Sequence, residues 1–201
     1  MNATDKWGNS ALTIASNYGR TEIVKILLER GADPNHKTNT RCEYPLIKAC
    51  IRNNTKIVKM LVEKGADMTV RDSEEDLTPF HFACGHGNEE LVKFFLDKGV
   101  DVNSNTDDGP TALMTACINE NTNIVQMLID NGANINWKDS DGDTALTKAI
   151  EYENTDIVRL IKNHINKIVS LVIKKGRTKD EIPLVPYSHK DIIYSVTTYV
   201  G

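Results

Sequence analysis

Aromatic residues are scarce in this chain, 6% with only two Trp, and the usual marks of a membrane span, a leader or a catalytic centre are missing. The longest apolar stretches fall far short of the ~20 residues that cross a bilayer, so no membrane association is expected. Met1-Asn-Ala-Thr has neither the basic start nor the apolar core of a secretion signal. That points to the cytoplasm, with the nucleus, or a host cell's cytoplasm if the source is viral or intracellular, as the other readings. No run of Lys and Arg offers a phosphate track, and a net charge of -4 gives nucleic acid no electrostatic footprint. CxxC is missing, and the His81-x4-His86 spacing has no cysteine pair to join, so the common zinc sites are not indicated. The glycines do not fall as GxGxxG or GxxxxGKS/T, so no phosphate cradle is indicated. Asp139-Ser-Asp-Gly-Asp143 has the look of a calcium loop, but no Glu follows at the twelfth position. Together these absences predict a protein that is not an enzyme, with no catalytic, metal-binding or cofactor-binding residue.

What is present is repetition. Ser10-Ala-Leu-Thr13 recurs as Tyr44-Pro-Leu-Ile47, Thr78-Pro-Phe-His81, Thr111-Ala-Leu-Met114 and Thr144-Ala-Leu-Thr147, at a period of 33 or 34 residues. An apolar pair follows each tetrad: Ile23-Val24, Ile57-Val58, Leu91-Val92, Ile124-Val125 and Ile157-Val158. Gly31-Ala-Asp, Gly65-Ala-Asp, Gly99-Val-Asp and Gly132-Ala-Asn close the first four units. A period of this size means stacked supersecondary units whose stability resides in the joints between them.

In the first unit, Gly8 suits a turn and Ser10 an N-cap, and Leu12, Ile14 and Ala15 supply the apolar side of a first helix. A second helix starts near Thr21-Glu22, carries Ile23 to Leu28 and stops at Gly31. Cys50, Cys84 and Cys117 follow the recurrent alanine, on the buried side of the first helix. Helices pack ~8–10 Å apart, too far for a disulfide between units, so buried thiols are expected. Cys42 stands where a turn glycine is expected, and Asp72-Ser-Glu-Glu-Asp-Leu77 is one residue longer than the other turns and lacks glycine. Unit five has no closing Gly-Ala-Asp, and its apolar spacing runs on through Ile161, Ile165, Ile168 and Val172. One long terminal helix from about 156 to 175 is predicted, stopped by Gly176; the alternative makes 168–176 the remnant of a sixth second helix. Residues 177–201 are not repeat-like, and their aromatic and aliphatic content suggests that they pack on something.

The spacing and the wording Thr78-Pro79-Phe80-His81-Phe82-Ala83 resemble the ankyrin repeat family over about residues 5–163. The resemblance implies an all-α solenoid of helix-turn-helix units joined by β-hairpin fingers, with an extended C-terminal capping helix. Repeats are placed at 5–37, 38–70, 71–103, 104–137 and 138–163 in a domain ending at 176, ahead of the 177–201 tail. It further implies a monomeric, non-catalytic module that binds another protein through its concave face and finger tips. The other reading is an adaptor whose tail recruits ubiquitin-ligase or other host machinery. His81 is expected to bond backbone of a neighbouring repeat.

Carried over residue by residue, the partner-facing positions are Trp7, Tyr18, Arg41, Arg52, Glu74, Glu75, His86, Asp107, Asp108, Asp141, Asp143 and Tyr152, with Trp137 beside them. Glu74 to Asp76, Asp107-Asp108, Asp141 and Asp143 would add into an acidic stripe that attracts a basic partner segment. Trp and Tyr are the residue types enriched at binding hot spots. The family's asparaginyl hydroxylation, with Leu eight positions upstream, maps onto Asn35 and Asn136; Asn103 has Phe95 there, and unit two has Thr69 in place of the Asn.

Overall fold

The computed structural model describes residues 3–38, 44–104 and 109–174. Among these described residues ten helices follow one another in five pairs. Unit one holds α1 (Ala11–Asn17) and α2 (Thr21–Glu29), and unit two α3 (Pro45–Ile51) and α4 (Thr55–Glu63). Unit three holds α5 (Pro79–Gly85) and α6 (Glu89–Asp97), and unit four α7 (Ala112–Ile118) and α8 (Thr122–Asp130). Unit five pairs α9 (Ala145–Glu151) with α10 (Thr155–Lys174).

Local chemistry sets these boundaries. Ser10, Thr111 and Thr144 cap their helices by accepting from the backbone N–H three residues on. Tyr44 makes no such side-chain cap; Pro45 takes the first helical position, where an N–H would have no partner in any case. Second helices end where Gly31, Gly65, Gly99 and Gly132 take φ between +82 and +85°. The Gly31 and Ala32 amides then bond back to the Leu28 and Leu27 carbonyls, satisfying the helix end. Unit five has Ile165 at that position, so nothing stops the helix and α10 runs for 20 residues where its counterparts have nine.

The core is a chain of joints. Leu12, Leu46, Phe80 and Leu113 of the first helices and Leu61, Phe95, Leu128 and Ile161 of the second are buried, with Phe80 and Phe95 meeting edge to face at 6.2 Å. Cys50, Cys84 and Cys117 are buried free thiols; desolvation raises all three, Cys117 to about 12, so they stay protonated and inert. Cys42 lies outside the described residues. The apolar side expected of unit one is only partly covered: Ile14, Ile23 and Ile26 are exposed, because among the described residues no helix pair packs on that side.

The expected β-hairpins are not strand pairs among the described residues, where the one bridge is Thr4 with Ser10. Each described finger instead closes through a cross-loop bond, Asp5 N–H to the Asn9 carbonyl, Asp72 to Leu77, and Asp139 to Asp143, with Gly8 and Gly142 also donating back to the Asp5 and Asp139 carbonyls. The leading aspartate takes up further turn amides with its carboxylate.

Candidate binding surface

Two sets of exposed residues flank the first helices, one at each end. A seven-residue helix is ~10 Å long, and neighbouring units are spaced by about the same distance, so both sets form rows across the stack.

The first row caps the first helices. Tyr18, Arg52, His86, Asn119 and Tyr152 are the C-cap residues of α1, α3, α5, α7 and α9. All five are exposed. Two lean back on the preceding unit: Arg52 Nε donates to Asn17 Oδ1 at 3.1 Å, and His86 Nε2 donates to the Ile51 carbonyl at 3.1 Å. Asn119 donates within its own helix, to the Thr115 carbonyl. The row therefore has aromatic ends, Tyr18 at 66% and Tyr152 at 46% exposure, around a polar middle of fixed side chains.

The second row is the fingers. Trp7 stands 53% exposed at the first tip, with Lys6 Nζ 4.2 Å from its ring centroid. Glu74 and Glu75 are exposed on the third finger, and Asp141 on the fifth. Arg41, Asp107 and Asp108 lie outside the described residues.

Several finger acids have work inside the fold. Asp5, Asp72 and Asp139 sit at the same place in alternate fingers and accept amides of their own turns. Asp76 pairs with Arg71 at 2.5 Å and holds its backbone at φ +58°, in the place of the missing glycine. Asp143 takes the Lys148 ammonium at 2.6 Å, with Asp139 at 3.7 Å and Glu151 at 3.6 Å around the same cation. That hydrogen bond holds the Asp143 carboxyl below its usual range, and Lys148 is pushed up to about 12. The acidic stripe is thus carried by fewer charges than the composition of the fingers implies. Trp137 is half-buried and packs against the core.

Other sequence-selected groups are structural. His81 donates from Nε2 to the Pro110 carbonyl at 3.1 Å, tying unit three to the approach of unit four, and accepts the Thr78 hydroxyl at Nδ1, 2.8 Å away. Burial lowers its pKa to about 4, so the ring stays neutral in the tautomer that this geometry needs. His36 Nε2 donates to the Gly8 carbonyl at 3.1 Å. Asn35 spans a joint: its amide donates to the Gly65 carbonyl at 2.9 Å and accepts from the Asp67 N–H at 2.8 Å. Asn103 repeats this with Gly132 and Asn134. Thr69, the counterpart in unit two, bonds to Asp67 in its own loop.

Sequence reasoning overlooked the asparagines that open the second helices. Asn88 donates to Asn53 and Thr55 of unit two and caps α6, while Asn121 donates to the Cys84 and Gly85 carbonyls of unit three. The signal was present as Asn at the same repeat position, 54, 88, 121 and 154.

Among the described residues no group of three or more His, Cys, Asp or Glu is placed to hold a metal, and no helix is long and apolar enough to cross a membrane.

Ankyrin repeats (3 copies) is the family whose model matches the chain, at residues 1–72, 36–106 and 80–171. No curated protein matches it. Repeats of this kind are generally protein–protein interaction modules, and the family is typically non-catalytic. With four helix pairs of one length in one phase, and family matches that together span 1–171, the chain belongs to the ankyrin repeat family.

Proposed function

We propose that this chain is a monomeric binding module of the cytoplasm or nucleus, gripping a partner protein with its concave face, finger tips and first-helix ends. The observation that carries the reading is the row Tyr18, Arg52, His86, Asn119 and Tyr152. Five equivalent, exposed positions differ in chemistry from unit to unit, whereas the buried positions around them repeat. A stack needs the buried pattern; it does not need aromatic rings at the two ends of an exposed row. Trp7 extends the aromatic surface on unit one, and Trp137 can offer only the edge that its packing leaves in solvent.

Affinity capture with the whole chain and with Tyr18→Ala/Tyr152→Ala tests this. A protein retained by the first and lost by the second supports the row as the grip. Equal retention by both, with both folded, moves the interface elsewhere.

A basic partner segment fits Glu74, Glu75 and Asp141, joined by Asp107 and Asp108 of the fourth finger. A Lys/Arg-rich peptide should associate more slowly with Asp108→Lys/Asp141→Lys, and with a flatter salt dependence. Unchanged kinetics would remove the acidic stripe from the mechanism. Trp137→Ala should mainly speed dissociation of the same peptide, and an unchanged off-rate would retire that residue as an anchor.

In the adaptor reading, the repeats select a target and residues 177–201 recruit ubiquitin-ligase or other machinery. A chain cut at Gly176 would then keep its target and lose its effect. Asn35 and Asn136 are the proposed hydroxylation positions. Peptides carrying them should gain the mass of one oxygen atom on incubation with an asparaginyl hydroxylase, while the Thr69 peptide stays unchanged.

A further inference from the structure

We infer that the open C-terminal face of the stack, between α9 and the first half of α10, is a groove occupied by the chain's own segment 182–187.

The groove is visible as a break in an otherwise regular burial pattern. Ile150 stands at the position of Ser16, Cys50, Cys84 and Cys117, which are at most 1% exposed, yet it is 43% exposed itself. Val158 is half-buried where Val24, Val58, Val92 and Val125 are fully buried. Leu146, half-buried, breaks the pattern of the buried Leu and Phe of the earlier first helices in the same way. In units one to four each of these positions is covered by the unit that follows. On unit five Ile150 and Val158 line, with Ala149, a groove of about 550 Å³ whose charged residues are Glu153, Arg159 and Lys162.

Length and chemistry select the occupant. From Lys174 back to Val158 the helix rises ~24 Å, at about 1.5 Å per residue. An extended chain covers about 3.3 Å per residue, so the eight residues from Lys174 to Ile182 reach ~26 Å. The first apolar run beyond the helix, Ile182-Pro-Leu-Val-Pro-Tyr187, therefore arrives level with the groove. Pro183 and Pro186 carry no N–H, so the run can lie on an apolar floor with few backbone donors to satisfy. Asp180 and Glu181 precede the run and are opposite in sign to Arg159 and Lys162, which outnumber Glu153 on the lining, although Arg159 also holds Asp156 at 2.8 Å. The segment takes the place of a sixth unit. Ile150 fits this: a β-branched side chain suits a covering peptide better than a close-packed helix, against which the other units present Ser or Cys.

Hydrogen exchange by mass spectrometry on the full chain and on Leu184→Asp/Val185→Asp tests the inference, since neither substitution touches a repeat. Amides of 145–158 should exchange about tenfold faster in the variant, with the mass in solution remaining that of one chain. Equal exchange in the two proteins would overturn the inference. So would protection that rises with protein concentration alongside a dimer mass, which assigns the groove to a second copy. The reciprocal variant Ile150→Asp alters a side chain that no repeat covers and should leave the stack folded. Trypsin should cut it after Lys190 several-fold faster than the parent chain, and an unchanged rate would also overturn the assignment.

Discussion

Units three and five are built from nearly the same pattern and differ in their neighbours. Cys84 and Val92 of unit three are fully buried, whereas Ile150 is exposed and Val158 half-buried. The same positions thus carry different weight along one chain. Burial in a stack belongs to the joint and not to the residue, and stability should follow the joint.

The largest test of this contrast is truncation. Leu61→Ala or Leu128→Ala, each at a fully buried joint, should cost ~2–5 kcal/mol, whereas Ile150→Ala should cost under ~1 kcal/mol. Urea denaturation of the three variants measures it, and equal losses would break the contrast.

Next comes pH. The His81 pKa falls on folding from 6.5 to about 4, so its neutral form contributes fully above pH 6.5. Between pH 6.5 and about 4 the unfolded chain takes up a proton that the native one refuses, and stability declines by ~3 kcal/mol. Denaturation midpoints across that range should flatten in His81→Gln, a variant confined to unit three.

A smaller gain is expected from Ser16→Cys, which gives unit one the residue found at this position in units two to four. The Ser16 hydroxyl is fully buried and, among the described residues, has no hydrogen-bond partner, so replacing it should stabilise by ~1 kcal/mol. Smallest is Glu120→Gly. Glu120 holds φ +58° at the turn where units one and three have Gly19 and Gly87, and relieving it should raise stability by ~0.5 kcal/mol. A thermal midpoint that falls for either would count against the account given for that site.

The helical layer could be read from the sequence because its determinants are local or periodic. Ser10, Gly31 and the Ile-Val pairs each act within one turn, or through a position that recurs. The binding surface was less legible. Asp72 and Glu75 look alike in a string of acids, and only the folded turn shows that the first accepts its own loop's amides while the second projects outward. Trp137 was selected for its residue type; its packing depends on side chains far away in sequence. Ile14 and Ile23 fit the core pattern and are nonetheless exposed, because a pattern records what a joint would accept and not whether a partner is there.

The asparagine bridges reach from one finger approach to the next. Asn35 and Asn103 fasten the finger side of joints one–two and three–four, while at joint two–three Thr69 folds onto its own loop. That middle joint is held at its opposite edge, by His86 on the Ile51 carbonyl and Asn88 on Asn53 and Thr55. Lys59 adds an ion pair to Glu90 across the same joint. Asn35 and Asn103 stand on the approaches to the second and fourth fingers, and Gly65 and Gly132 on the approaches to the third and fifth, so each bridge sets the spacing of one finger from the next along the gripping edge.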